Sequence, residues 1–118
     1  VDSADVGAAA CTVKNWGYSF SYKCDDPPAY ADWDGNGTTD EIFAIAPNRK
    51  IYHSWDAANG WKEMPNGGRA DYTIQACWAD GRRTITVSVG NGQSQGVRWS
   101  SHFNQRWIGW YKSAKCDI

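Results

Sequence analysis

What the chain lacks narrows its class first. No apolar run approaches the roughly 18 residues that a membrane-spanning helix needs, so no segment reads as inserted in a membrane. Neither sign of charge dominates. With 12 basic and 13 acidic side chains the net charge is -1, which excludes duplex nucleic acid or an anionic membrane as the main ligand. There is no Cys-x-x-Cys pair, and His53 and His102 stand far from the cysteines in sequence, so a zinc site is not expected. Glu41 and Glu63 are the only glutamates, a thin supply for the paired carboxyls of a glycosidase. Helix-friendly residues are scarce as well: the alanines between Asp5 and Ala10 form too short a stretch to stand alone, and residues 1–10 read as a tethered arm. The chain opens on Val1-Asp2-Ser3 without an initiator methionine, as expected of a processed product.

Four cysteines, Cys11, Cys24, Cys77 and Cys116, are present. They read as two disulfides, and four cysteines allow three pairings. Cys11 with Cys24 and Cys77 with Cys116 is favoured because the first closes a short local loop; four buried free thiols are the alternative. Disulfides imply an oxidising, extracellular compartment and a secreted protein. At 118 residues the chain is sized for one domain, with enough core to fold but little reserve stability.

Eight Trp, six Tyr and three Phe beside 12 Gly are strand and turn formers, so the fold is expected to be all-β. Strands are predicted over Tyr18 to Lys23, Glu41 to Ala46, Lys50 to Trp55, Tyr72 to Trp78, Thr84 to Val89 and Gly96 to Ser100, each bounded by Gly, Asn, Asp or Pro. Thr84 to Val89 alternates most cleanly, with one apolar and one hydroxylic face, as a half-buried antiparallel strand would. Sliding the chain against itself by 44 residues aligns Phe43, Ile45 and Trp55 with Val87, Val89 and Trp99. Two units follow, about 32–71 and 78–116, each reading as strand, turn, strand ending in Trp, then a loop with a second Trp at Trp61 or Trp107. A period near 44 is the length of one propeller blade of four short strands.

The run Glu41-Ile42-Phe43-Ala44-Ile45-Ala46-Pro47-Asn48-Arg49-Lys50-Ile51-Tyr52-His53-Ser54-Trp55, followed by Gly60-Trp61, resembles a blade of the tachylectin-like and related bacterial β-propeller lectins. The second unit has Val97-Arg98-Trp99 and no histidine at the matching place. The resemblance implies short antiparallel strands in blade-like repeats, no catalytic activity, and a sugar held between neighbouring blades by aromatic walls. Two units cannot close a ring of four to eight blades, so either copies associate as a homo-oligomer or the two units fold onto each other as a sandwich.

Sugar recognition needs a flat apolar face for the C–H side of a pyranose and fixed polar groups for its hydroxyls. The residues assigned to a glycan are the loop tryptophans Trp61 and Trp107 as platforms, with His53, Trp55, Trp99, Glu63, Arg98 and Asn104 around them. Trp55 and Trp99 end strands and are expected to be the more buried pair; any of the four could equally be a core pillar.

A second motif is Asp32-Trp33-Asp34-Gly35-Asn36-Gly37-Thr38-Thr39-Asp40. Its oxygen-bearing residues Asp32, Asp34, Asn36, Thr38 and Asp40 alternate as in calcium loops, and it resembles the Asp-x-Asp-Gly-Asn-Gly loops of calcium-binding integrin-type repeats. Phe43 stands where an EF-hand has its bidentate Glu. The alternative is an Asx-rich turn entering the next strand. Asn36-Gly37-Thr38 is also a glycosylation sequon.

Two other function classes remain. A small ribonuclease could combine His53, His102, Glu63 and Arg69 as acid, base and phosphate clamp. A secreted protease inhibitor could offer Met64-Pro65-Asn66-Gly67-Gly68-Arg69 as an exposed segment.

Overall fold

The structure is a computed structural model that describes residues 10–90 and 95–117. The expected arm over residues 1–10 lies almost wholly outside the described residues. The fold is all-β and antiparallel, with ten strands among the described residues. A hairpin, β1 (Cys11–Asn15) and β2 (Tyr18–Tyr22), comes first. A four-stranded sheet follows, with β3 (Ala29–Ala31), β4 (Glu41–Ile45), β5 (Ile51–Ser54) and β6 (Lys62–Glu63) in sequential order. A second sheet takes β7 (Tyr72–Ala79), β8 (Arg82–Val89), β9 (Val97–Phe103) and β10 (Trp107–Lys112), also in sequential order. Each sheet is a four-stranded meander, the topology of a propeller blade. They span 29–63 and 72–112 rather than 32–71 and 78–116.

The two sheets share one core. Phe43, Ile45 and Ile51 of the first sheet meet Ile85, Val87 and Trp107 of the second, with Met64 and Ala70 from the connection between them. The outer side of β4 is closed as well: Ile42 and Ala44 are buried, and the hairpin lays Phe20 over Tyr52 and Trp61, with centroids 5.0 and 4.6 Å apart.

The 44-residue repeat does not carry its tryptophans to equivalent places. Ile45 pairs with Ile51 in the first hairpin, whereas Val89 pairs with Val97 in the second. The second loop is thus two residues longer. Trp55 falls beyond the end of β5, while Trp99 lies within β9 opposite Val87.

Strand β8 departs from the half-buried expectation. Its hydroxylic face, Thr84, Thr86 and Ser88, is as buried as Ile85 and Val87. The C-terminal segment covers Thr86 and supplies partners for the hydroxyls of Thr86 and Ser100, as buried hydroxyls require, whereas Ser88 Oγ has none among the described residues. The Cys116 N–H donates to Thr86 Oγ1 at 2.9 Å, Thr86 and Ser100 share a hydrogen bond of 2.7 Å, and the Ser100 hydroxyl donates to the Ser113 carbonyl at 2.7 Å. Disulfides join Cys11 to Cys24 and Cys77 to Cys116. The first ties β1 to the segment after β2; the second fastens the chain end to β7.

Asp26 anchors the turn before β3. It is 1% exposed, and its carboxylate accepts the Thr73 N–H at 2.9 Å and the Thr73 hydroxyl at 3.1 Å. Loss of solvent outweighs these bonds and pushes its pKa from 3.8 to about 6. A folded pKa above the unfolded one means that the folded state holds the proton more tightly. That stability is full below pH 3.8 and is lost as pH rises through 6. Acidifying from pH 7 to 5 should therefore raise the unfolding free energy measured in urea, by a part of the roughly 3 kcal/mol that the full interval from 6 down to 3.8 carries. Asp26→Asn should flatten this rise; an unchanged slope in that variant would remove Asp26 as its cause.

Candidate functional site

A cavity of about 370 Å³ opens between the sheets, lined by Trp33, Asp40, Glu41, His53, Trp55, Arg83, Phe103 and Trp107. Strand alternation builds its floor. Glu41 and Phe43 lie two apart on β4, and His53 pairs directly with Phe43, so all three face one side. Trp55 continues that face beyond β5. From the facing sheet, Trp107 enters from β10 and Phe103 from the end of β9.

Glu41 and His53 form a buried pair, 7% and 5% exposed. Glu41 Oε2 stands 2.7 Å from His53 Nδ1, and Glu41 Oε1 accepts the Trp33 indole N–H at 2.9 Å. Both carboxylate oxygens are therefore satisfied, as a buried acid requires. The contact places the ring hydrogen on Nδ1. In the neutral ring Nε2 is then an acceptor, and it has no protein partner among the described residues. Arg83 lies across the rim with its guanidinium 5.6 Å from the Trp33 ring and 5.9 Å from the Trp78 ring. Trp78 in turn donates its indole N–H to the Trp33 carbonyl at 2.8 Å. Stacked guanidinium and indole groups restrain one another.

Three of the residues assigned to a glycan meet here: His53, Trp55 and Trp107. The others lie elsewhere. Trp61 is no free platform, because its ring stacks on Phe20 with the planes 23° apart. Trp107 is not on a loop: it begins β10, is 7% exposed, and meets Phe43 edge-on at 5.5 Å. Trp55 and Trp99, expected to be the more buried pair, are both partly exposed and line different cavities. Glu63 is exposed on β6, Arg98 pairs with Asp117 at 3.7 Å, and Asn104 sits exposed in the turn after β9. Sequence reasoning passed over Trp33, Glu41 as a site residue, Arg83 and Phe103. Period-two alternation from His53 and Phe43 would have found Glu41; Trp33 was absorbed in the acidic loop, and nothing local marks Arg83.

The acidic loop folds on itself. Asp32 accepts the N–H groups of Asn36 at 3.2 Å and Gly37 at 2.7 Å, and Asn36 Oδ1 accepts the Thr38 N–H at 2.8 Å. The carboxylates of Asp32, Asp34 and Asp40 lie within 4.8 Å of one another. The Gly37 N–H holds Asp32 below the usual carboxylate range, while reduced solvation, with Asp32 and Asp40 nearby, pushes Asp34 up. These three could hold a divalent cation; the Asn36 side-chain oxygen is engaged by Thr38, and Thr38 enters the hydrogen bonding through its N–H.

The ribonuclease grouping is not assembled. His53 lines the first cavity, Arg69 a second, and His102, hydrogen-bonded to the Tyr111 hydroxyl at 2.9 Å, a third. In the segment proposed for an inhibitor, Pro65, Asn66, Gly67 and Arg69 are exposed, while three contacts anchor it to the fold. Met64 is 2% exposed, Asn66 Nδ2 donates to the Trp107 carbonyl at 3.1 Å, and Gly68 lies against the Trp110 ring. No protein-family model, curated protein or solved structure matches the chain.

Proposed function

We propose that the protein is a secreted lectin that binds carbohydrate in the cavity between the sheets. The observation that carries this reading is the combination of Trp33, Trp55, Phe103 and Trp107 walls with three polar groups, Asp40, Arg83 and His53. Indole faces suit the C–H side of a sugar ring, and the cavity volume falls at the small end of ligand sites, as one ring requires. His53 Nε2 accepts a hydroxyl hydrogen; Arg83 donates to a ring or hydroxyl oxygen. Calcium belongs to the same proposal, since Asp40 is shared by the acidic loop and the cavity. Association of several copies into a ring is its remaining part, measured by light scattering at several concentrations.

A glycan array run with and without EDTA tests ligand class and metal together. Binding to a defined set of glycans, reduced at least tenfold by EDTA and restored by calcium, is the expected result. An array without signal in either condition would discard the lectin reading. The oriented Glu41–His53 pair favours a second reading, acid–base hydrolysis of the bound ligand. A bound glycan recovered intact after prolonged incubation rules that out.

A further inference from the structure

The second cavity, about 270 Å³, is lined by Ile51, Val87, Val89, Trp99 and Trp110, with Gly68 and Arg69 beside them. All of these side chains are apolar except Arg69. The volume lies below the roughly 300–1,000 Å³ of drug-sized sites, so the occupant is small. Charge narrows it further. Lys50 and Arg69 stand directly opposite each other in an antiparallel bridge, an arrangement in which like charges cost stability. Neither has an acidic partner among the described residues. Asp71, two residues along from Arg69, is already taken by Arg49 at 2.8 Å and by the Gly90 N–H at 2.8 Å. Arg69, the charged residue of an otherwise apolar slot, is complementary to an anion with an apolar body.

We propose that this slot binds a small amphipathic anion, its aliphatic or aryl body against Trp99 and Trp110 and its carboxylate or sulfonate at Arg69. The anion relieves the repulsion across the bridge, and its body covers the indole faces that the core leaves partly exposed. Gly68 shapes the slot. A Cβ at that position would collide with Trp110 Nε1, so only glycine lets this indole lie where it does. The site is separate from the first cavity, with which it shares no lining residue.

The test titrates octanoate and octanol separately into ¹⁵N-labelled protein and follows the indole N–H signals of Trp99 and Trp110. Octanoate should shift both, with an affinity about tenfold above that of octanol, the size of one charge-assisted hydrogen bond. Arg69→Gln should erase that preference and leave octanol binding as it was. Gly68→Ala, which displaces Trp110, should weaken both ligands. The proposal is overturned if octanoate leaves both indoles unmoved, if octanol binds as tightly as octanoate, or if Arg69→Gln keeps the preference.

Discussion

Replacing Cys77 and Cys116 together by serine should lower the unfolding free energy by roughly 4 kcal/mol. The bridge spans 39 residues, between the 15- and 100-residue loops for which chain entropy gives about 3 and 4.7 kcal/mol. The structure adds a local reason. Cys116 is 1% exposed, and its N–H bonds to Thr86 Oγ1 beneath the C-terminal segment. Without the bridge this segment is held by exchangeable hydrogen bonds, and when it lifts, Thr86 and Ser100 lose buried partners. Cys11→Ser with Cys24→Ser opens a loop of 13 residues and should cost about 3 kcal/mol by the same argument. Among the described residues β1 pairs with β2 alone, and the hairpin is also held to the first sheet by Phe20 against Tyr52 and Trp61. Urea unfolding of the two double variants measures both. A Cys77/Cys116 variant as stable as the parent, or a larger loss from the Cys11/Cys24 variant, would refute the assignment of the C-terminal clamp as the main covalent support.

The cysteine pairing, the all-β class and six of the strands were legible because each rests on local pattern: loop closure, alternation, and Gly or Asn at turns. Strand β10 was not. Gly109 sits inside it at a register shift, and a Cβ there would stand 2.8 Å from the Ser100 carbonyl oxygen. That bulge breaks the alternation which would have marked the strand. The buried hydroxyl face of β8 was equally hidden, since its cover comes from a segment some thirty residues away, held by a disulfide. Alternation can show that a strand has two faces, but not that the chain end will close the second one. The same limit governs the site. Glu41 and His53 lie twelve apart in sequence and meet because β4 and β5 pair in one particular register, which the hydrophobic pattern alone leaves open. Arg83 arrives from the other sheet, a relation carried by packing and by no sequence spacing.

Trp107→Ala and Trp55→Ala should separate core from cavity wall, in the order opposite to their places in the sequence pattern. Trp107 is 7% exposed and touches Phe43, Phe103 and His53, with centroids 5.5, 5.6 and 6.1 Å away. Removing its indole leaves a void where the sheets meet, so a loss of roughly 3–5 kcal/mol is expected. Trp55 is partly exposed beyond the end of β5, with His53 as its aromatic neighbour at 4.9 Å. Its truncation leaves the inter-sheet core filled and should cost under about 1 kcal/mol, in the range of changes away from the core. Glycan affinity, however, should fall at least tenfold, because Trp55 supplies an indole face that the ligand covers. Trp61→Ala controls for aromatic content. Its ring rests on Phe20, away from the cavity, and binding should survive its loss. Urea midpoints and glycan titrations on the three variants give the answer. Equal destabilisation by Trp55→Ala and Trp107→Ala would place both in the core, and binding lost with Trp61 but kept without Trp55 would move the sugar to the hairpin side of the first sheet.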